Sequence, residues 1–173
     1  GFHQLGPNRL VKTIANQSLT TTVFLDVLDS SYSINDRDNR QQFFSEQKIK
    51  SQETTTSFLK AFQKYDVIFY SGHSRNGGGP DFSPPRMNGA HVDYGWYEAN
   101  RPGVKLLNQA LKAPHRTQIL GLFSCASKGH FSGILQNLDK KLALFLSLKI
   151  SEAEFLNADL WLSLNGLLTQ RCS

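Results

Sequence analysis

The sequence predicts an α/β domain with a mostly parallel central sheet flanked by helices. Three observations lead there: short, dense apolar runs, stretches of helical periodicity between them, and the regular alternation of the two. Strands covered on both faces read as nearly continuous apolar runs, and parallel neighbours need a crossover helix.

Four runs read as strands: residues 22–28 (TVFLDVL), 66–70 (DVIFY), 118–123 (QILGLF) and 142–150 (LALFLSLKI). Residues 1–19 are read as an N-terminal extension. Between residues 30 and 52 the chain is polar apart from Phe43 and Phe44, and a helix is placed over 37–50. Phe58, Phe62 and Tyr65 then repeat at helical spacing, as do Val104, Leu107 and Leu111, and Phe131, Ile134, Leu135 and Leu138 share one helical face. The last helix is announced by Ser151 and Glu154, an S-x-x-E capping box in which each side chain satisfies a free amide of the first turn. Leu156, Leu160, Leu164 and Leu167 follow as its stripe, and it is expected to end near Gly166 or shortly after. Residues 72–103 form the largest interruption. Their prolines and glycines argue against regular structure over most of the stretch, leaving room for a short ribbon near 92–97.

At 173 residues the chain has the length of one domain, and its 39% hydrophobic and 19% charged residues suit a packed core. The formal charge is +5, but its Lys and Arg residues are scattered, so a mildly basic surface is expected rather than nucleic-acid binding. No apolar run approaches the roughly 20 residues that cross a bilayer, and the opening GFHQLGPNRL lacks the apolar core of a signal peptide; no membrane partner is expected. Two cysteines, Cys125 and Cys172, exclude a disulfide scaffold and leave the compartment open. A link between them would require the tail to fold back onto residue 125, and nothing in the spacing signals one.

In open α/β sheets the ligand crevice lies beyond the carboxyl ends of the strands. Two runs end there in reactive groups. DVIFY is followed by Ser71, Gly72, His73 and Ser74, and QILGLF by Ser124, Cys125, Ala126 and Ser127. If these strands are parallel neighbours, imidazole and thiol leave one edge together. A thiol beside an imidazole becomes a nucleophile, and the same ring can later protonate a leaving amine, which makes acyl transfer the natural reaction. Backbone amides at Ser74 and Cys125 are the candidates for holding the oxyanion.

The segments DVIFYSGHS and QILGLFSCAS resemble the caspase-like and gingipain-like cysteine peptidases, a group that includes legumain and clostripain. The His-to-Cys separation of 52 residues is close to the ~50 of caspases. From about residue 20 onward the resemblance implies a three-layer caspase-hemoglobinase-like fold, His73 as general acid and base, Cys125 as nucleophile, and peptide or protein substrates. It implies no organic cofactor, while some members require calcium. Phe123, two residues before the Cys, would border the pocket for the side chain preceding the scissile bond. Asp93 and Asp159 are the carboxylates to inspect if cleavage follows Lys or Arg. Two departures stand out: Ser74 occupies the place usually held by Gly, and no caspase-type pentapeptide surrounds Cys125.

Two other readings stay open. The segment GHSRN resembles the G-x-S-x-G turn of serine hydrolases, with Ser74 as nucleophile, although Asn76 replaces the last glycine. Asp93 or Asp159 with His115 or His130 would then complete a triad. Alternatively the domain is noncatalytic and holds a partner with its aromatic loop. His91, His115 and His130 show no metal-ligand spacing with acids or thiols.

Overall fold

The computed structural model describes residues 1–15, 20–148 and 153–169. Among these residues, three strands open the chain: β1 (His3–Gly6), β2 (Arg9–Ala15) and β3 (Thr20–Asp26). They form an antiparallel meander in the order β1-β2-β3. The run containing Val23, Phe24 and Leu25 was expected in the parallel sheet, and the preceding residues were expected to be an extension. Instead it pairs with residues 9–15, Arg9 opposite Asp26 and Ala15 opposite Thr20. Phe24 stays 53% exposed, so this run's apolar residues do not mark a strand covered on both faces. Arg9 donates twice to the Asp26 carboxylate, at 2.6 Å each, and the Tyr65 hydroxyl donates to the same group. The guanidinium holds the Asp26 carboxyl well below the usual carboxylate range.

Next come α1 (Asp36–Arg40), capped by the Asn35 side chain, and α2 (Phe44–Lys64). The second is one continuous helix, about 30 Å long at 1.5 Å per residue. Its inward stripe is Gln47, Ser51, Thr54, Phe58, Ala61 and Phe62, apolar only in its second half. In the first half Gln47 accepts the amide of Tyr32 and donates to the carbonyl of Ser30, both at 2.8 Å. Thr54 reaches the carbonyl of Asp29 at 3.4 Å. The helix expected over 37–50 is therefore two helices, and the longer one extends through the Phe58 and Phe62 stripe.

Strands β4 (Val67–Ser71), β7 (Ile119–Phe123) and β8 (Ala143–Leu146) make a parallel sheet in the order β4-β7-β8. Between β4 and β7 lie a two-stranded ribbon, β5 (Met87–Asn88) and β6 (His91–Val92), then α3 (Tyr94–Asn100) and α4 (Pro102–Lys112). The stretch near 92–97 is thus mostly helix, not ribbon, because the Asp93 side chain accepts the amide of Trp96 and starts α3. Helix α5 (Ser127–Leu138) joins β7 to β8, and α6 (Ala153–Thr169) follows, running against β4 and β7. It extends three residues beyond Gly166. Ser151, the side chain of Glu154 and Cys172 lie outside the described residues.

Strand alternation divides the parallel sheet into two faces. Ile68, Tyr70, Leu120 and Leu122 pack with Phe58 and Phe62 of α2, Leu107 and Leu111 of α4, and Phe131 and Leu135 of α5. On the other face Phe69 meets Phe123 and Phe145 edge to face, at 5.4 and 6.1 Å between ring centres. Gly121 lies beneath them, where a Cβ would come within 2.5 Å of Phe69. No helix among the described residues is long and apolar enough to cross a membrane.

Candidate active site

Strands β4 and β7 are parallel neighbours, with Val67 opposite Ile119 and Ser71 opposite Phe123. The amide of Gly72 donates to the carbonyl of Phe123 at 3.1 Å, so pairing persists beyond the last strand residue. His73 and Cys125 each follow two residues after these partners. They leave one carboxyl-end rim on strands separated by about 4.8 Å.

The ring of His73 is exposed at this rim, while its backbone is held firmly. Tyr70 is 7% exposed, and its hydroxyl lies 3.0 Å from the carbonyl oxygen of His73 and 3.2 Å from that of Asp81. It also accepts the amide of Asp81 at 3.1 Å. Burial pushes the Tyr70 phenol up to about 12, so it remains a neutral donor. Gly72 is required here, since a Cβ would lie 2.6 Å from that hydroxyl. Partial desolvation of the imidazole, and then the charge of Arg75, hold His73 below the ordinary imidazole value; Asp81 and Asp36 oppose this. The ring is therefore neutral, and able to accept a proton, at neutral pH.

Cys125 is half-buried between the fully buried Ser124 and Ala126, which takes left-handed backbone (φ 50°) and starts α5. The turn is anchored by Ser127, whose hydroxyl donates to the carbonyl of Leu122 at 2.6 Å and accepts the amide of Ser147 at 2.7 Å. Cys125 thus immediately precedes the N-cap of a 12-residue helix.

No family model, curated protein or solved structure matches this chain.

The remaining expected site residues fall elsewhere. Phe123 is 4% exposed and packs on Phe69, so it is a buried sheet residue rather than an open pocket wall. Asp93 caps α3 and pairs with Arg86 at 3.4 Å. Asp159 is exposed on α6. Ser74 is 5% exposed, and its carbonyl accepts the amide of Gly79 at 2.8 Å. His115 pairs with Asp139 at 3.5 Å, and His130 sits in the first turn of α5 with its ring beside Gly77. Among the described residues no group of three or more His, Cys, Asp or Glu could hold a metal ion.

Sequence reasoning missed Tyr70, Arg75, Asp81, Tyr97 and Arg101. Arg75 and Asp81 form an ion pair at 3.1 Å with side chains 8% and 13% exposed. Tyr97 donates to the same Asp81 carboxylate at 3.1 Å. Arg101 spans from the carbonyl of Gly77 to that of His130, both at 3.3 Å, tying the His73 loop to the helix that follows Cys125. Only the charges at 75 and 81, bracketing a glycine run, hinted at this. A groove of about 1610 Å³ opens beside the rim, bordered by Val27, Leu28, His73, Phe82, Leu160 and Leu164. His73 stands on the edge strand beside this groove, and Cys125 one strand further in.

Proposed function

We propose that the chain is a cysteine endopeptidase of caspase-like fold, with Cys125 as nucleophile and His73 as general base and acid. The observation that carries this reading is the register of β4 and β7, which ends imidazole-bearing and thiol-bearing segments at one rim. His73 takes the thiol proton and the sulfur adds to the peptide carbonyl, giving an oxyanion for which the amides around Cys125 and Ser74 are the candidate donors. Collapse breaks the C–N bond, and the imidazolium gives its proton to the departing amine. Water, deprotonated by His73, then cleaves the thioester to release the acid and restore the thiol. An extended peptide would lie in the groove beside His73, with its scissile bond turned toward Cys125, which stands outside the residues that border the groove.

The burial of Ser74, at 5% exposure, weighs against the serine-hydrolase reading, since a nucleophile must reach its substrate. The test compares the wild-type chain with Cys125→Ala on a mixed peptide library, alongside a peptidyl thiol-directed inactivator. Cleavage and labelling that both vanish in Cys125→Ala support the proposal. Cleavage that survives the substitution refutes it. A folded wild-type chain that neither cleaves nor labels points to the noncatalytic binding domain.

A further inference from the structure

Directly after His73 and Ser74 the chain passes through three consecutive left-handed residues, Arg75 (φ 47°), Asn76 (φ 51°) and Gly77 (φ 83°). L side chains adopt this region reluctantly, and such backbone persists only where its surroundings over-determine it. Those surroundings are the Arg75–Asp81 ion pair, a costly thing to bury unless its polar atoms are satisfied. They are well supplied. Asp81 receives Arg75 and the Tyr97 hydroxyl on one carboxylate oxygen, its other oxygen accepts the amide of Ser83 at 3.1 Å, and its main chain is held by Tyr70. The Arg75 guanidinium also lies over the Tyr97 ring, 5.9 Å from its centre. Tyr70 joins the two ends of this loop, because the same hydroxyl contacts His73 and Asp81.

We propose that the Arg75–Asp81 pair, braced by Tyr97, positions His73: it fixes the loop on which the imidazole is carried and sets the charge that the ring faces. A purely structural pair would be exchangeable for any filler that keeps the loop folded. A positioning pair would not, because the imidazole feels the two charges in opposite senses. The charged groups acting on His73 are Arg75 and Asp81 from its own loop and Asp36 from α1. Arg75 disfavours the imidazolium, and the two carboxylates favour it. The inference takes its catalytic meaning from the His73–Cys125 reading, while its test does not depend on that reading.

The test is an imidazole NMR titration of the full chain at low salt, with the His73 signal assigned by its loss in His73→Gln. Arg75→Gln removes the repelling cation and unmasks Asp81, so the His73 midpoint should rise by about half to one pH unit. Asp81→Asn leaves Arg75 unneutralised, so the midpoint should fall below the wild-type value by a similar amount. Opposite signs are the signature, since mere loosening of the loop would move both variants upward toward the ordinary imidazole value. Movement in the same direction, or no movement in either, overturns the proposal. Should Asp81→Asn fail to fold, Arg75→Lys takes its place: it keeps the cation, so His73 should stay near its wild-type midpoint, and a rise matching Arg75→Gln would overturn the proposal. If peptidase activity is absent while the two shifts appear, the enzyme reading fails and the positioning inference stands.

Discussion

Replacing Tyr70 by Phe removes one oxygen atom and leaves the ring in place, which makes it the cleanest probe of what holds His73. The ring keeps its edge contact with Phe82, 5.6 Å between centres, so no cavity term arises. What disappears is the buried hydroxyl that accepts the amide of Asp81 and donates to the carbonyl of His73 or Asp81. A hydroxyl has a single proton, so two hydrogen bonds are lost at any moment. Each is worth about 0.5 to 1.5 kcal/mol net, and a buried N–H left without a partner adds to the penalty, for an expected loss of about 2 to 3 kcal/mol. That is a large share of the roughly 5 to 15 kcal/mol that stabilises a domain. Urea unfolding followed by far-UV circular dichroism should place the midpoint about 1 M lower, given a slope of roughly 2 to 3 kcal/mol/M. A loss below about 0.5 kcal/mol, less than one ordinary hydrogen bond, would refute the claim that this hydroxyl fastens the rim.

Other perturbations test the site and its frame. Because burial and Arg75 hold His73 below the ordinary imidazole value, its basic form persists to more acidic pH, and the acid limb of Cys125 alkylation should have its midpoint below about 6.5. Alkylation rates measured across pH would contradict this if the midpoint fell at or above that value, or if His73→Gln left the limb unchanged. Gly103→Ala would set a Cβ 2.1 Å from the Gly79 carbonyl carbon, with only backbone to yield, and should destabilise the chain by at least 2 kcal/mol or so, as overpacking does. A thermal melt of that variant indistinguishable from wild type would show that α4 does not rest on the Gly78–Gly79 backbone.

The parallel sheet was legible because its strands meet the simplest rule: Ile68, Leu120 and Leu122 are buried on one face, and the opposite face carries Phe69, Phe123 and Phe145. The helices carrying Leu107 and Phe131 were legible for the same reason. Helix α2 was only half legible, since hydrophobic periodicity cannot register Gln47 and Thr54, which hydrogen-bond the 29–32 backbone, or Ser51, whose hydroxyl accepts from the Gln47 side chain. The first sheet was misread because the amino-acid content of a strand does not say which partner it takes, and the match of Arg9 with Asp26 lies in long-range pairing. Of the candidate site, the rim positions of His73 and Cys125 could be inferred from strand ends. The Arg75–Asp81–Tyr97 cluster could not, because it exists only once residues 16 and 22 positions apart have been folded together.

The long connection between β4 and α4 is two pieces of unlike character. From 74 to 81 it is tied down by Tyr70, Tyr97 and Arg101, and backbone rests directly on backbone where Gly103 donates to the carbonyl of Gly78 at 2.6 Å. At the ribbon tip, by contrast, a side chain added at Gly89 would meet nothing within 4 Å. Insertion, loop grafting or an appended tag belongs at that tip, whereas lengthening the chain by a single residue near Gly78 would disturb the imidazole. Divergence among descendants of this gene should accordingly be read at the ribbon, with the clasp beneath it left intact.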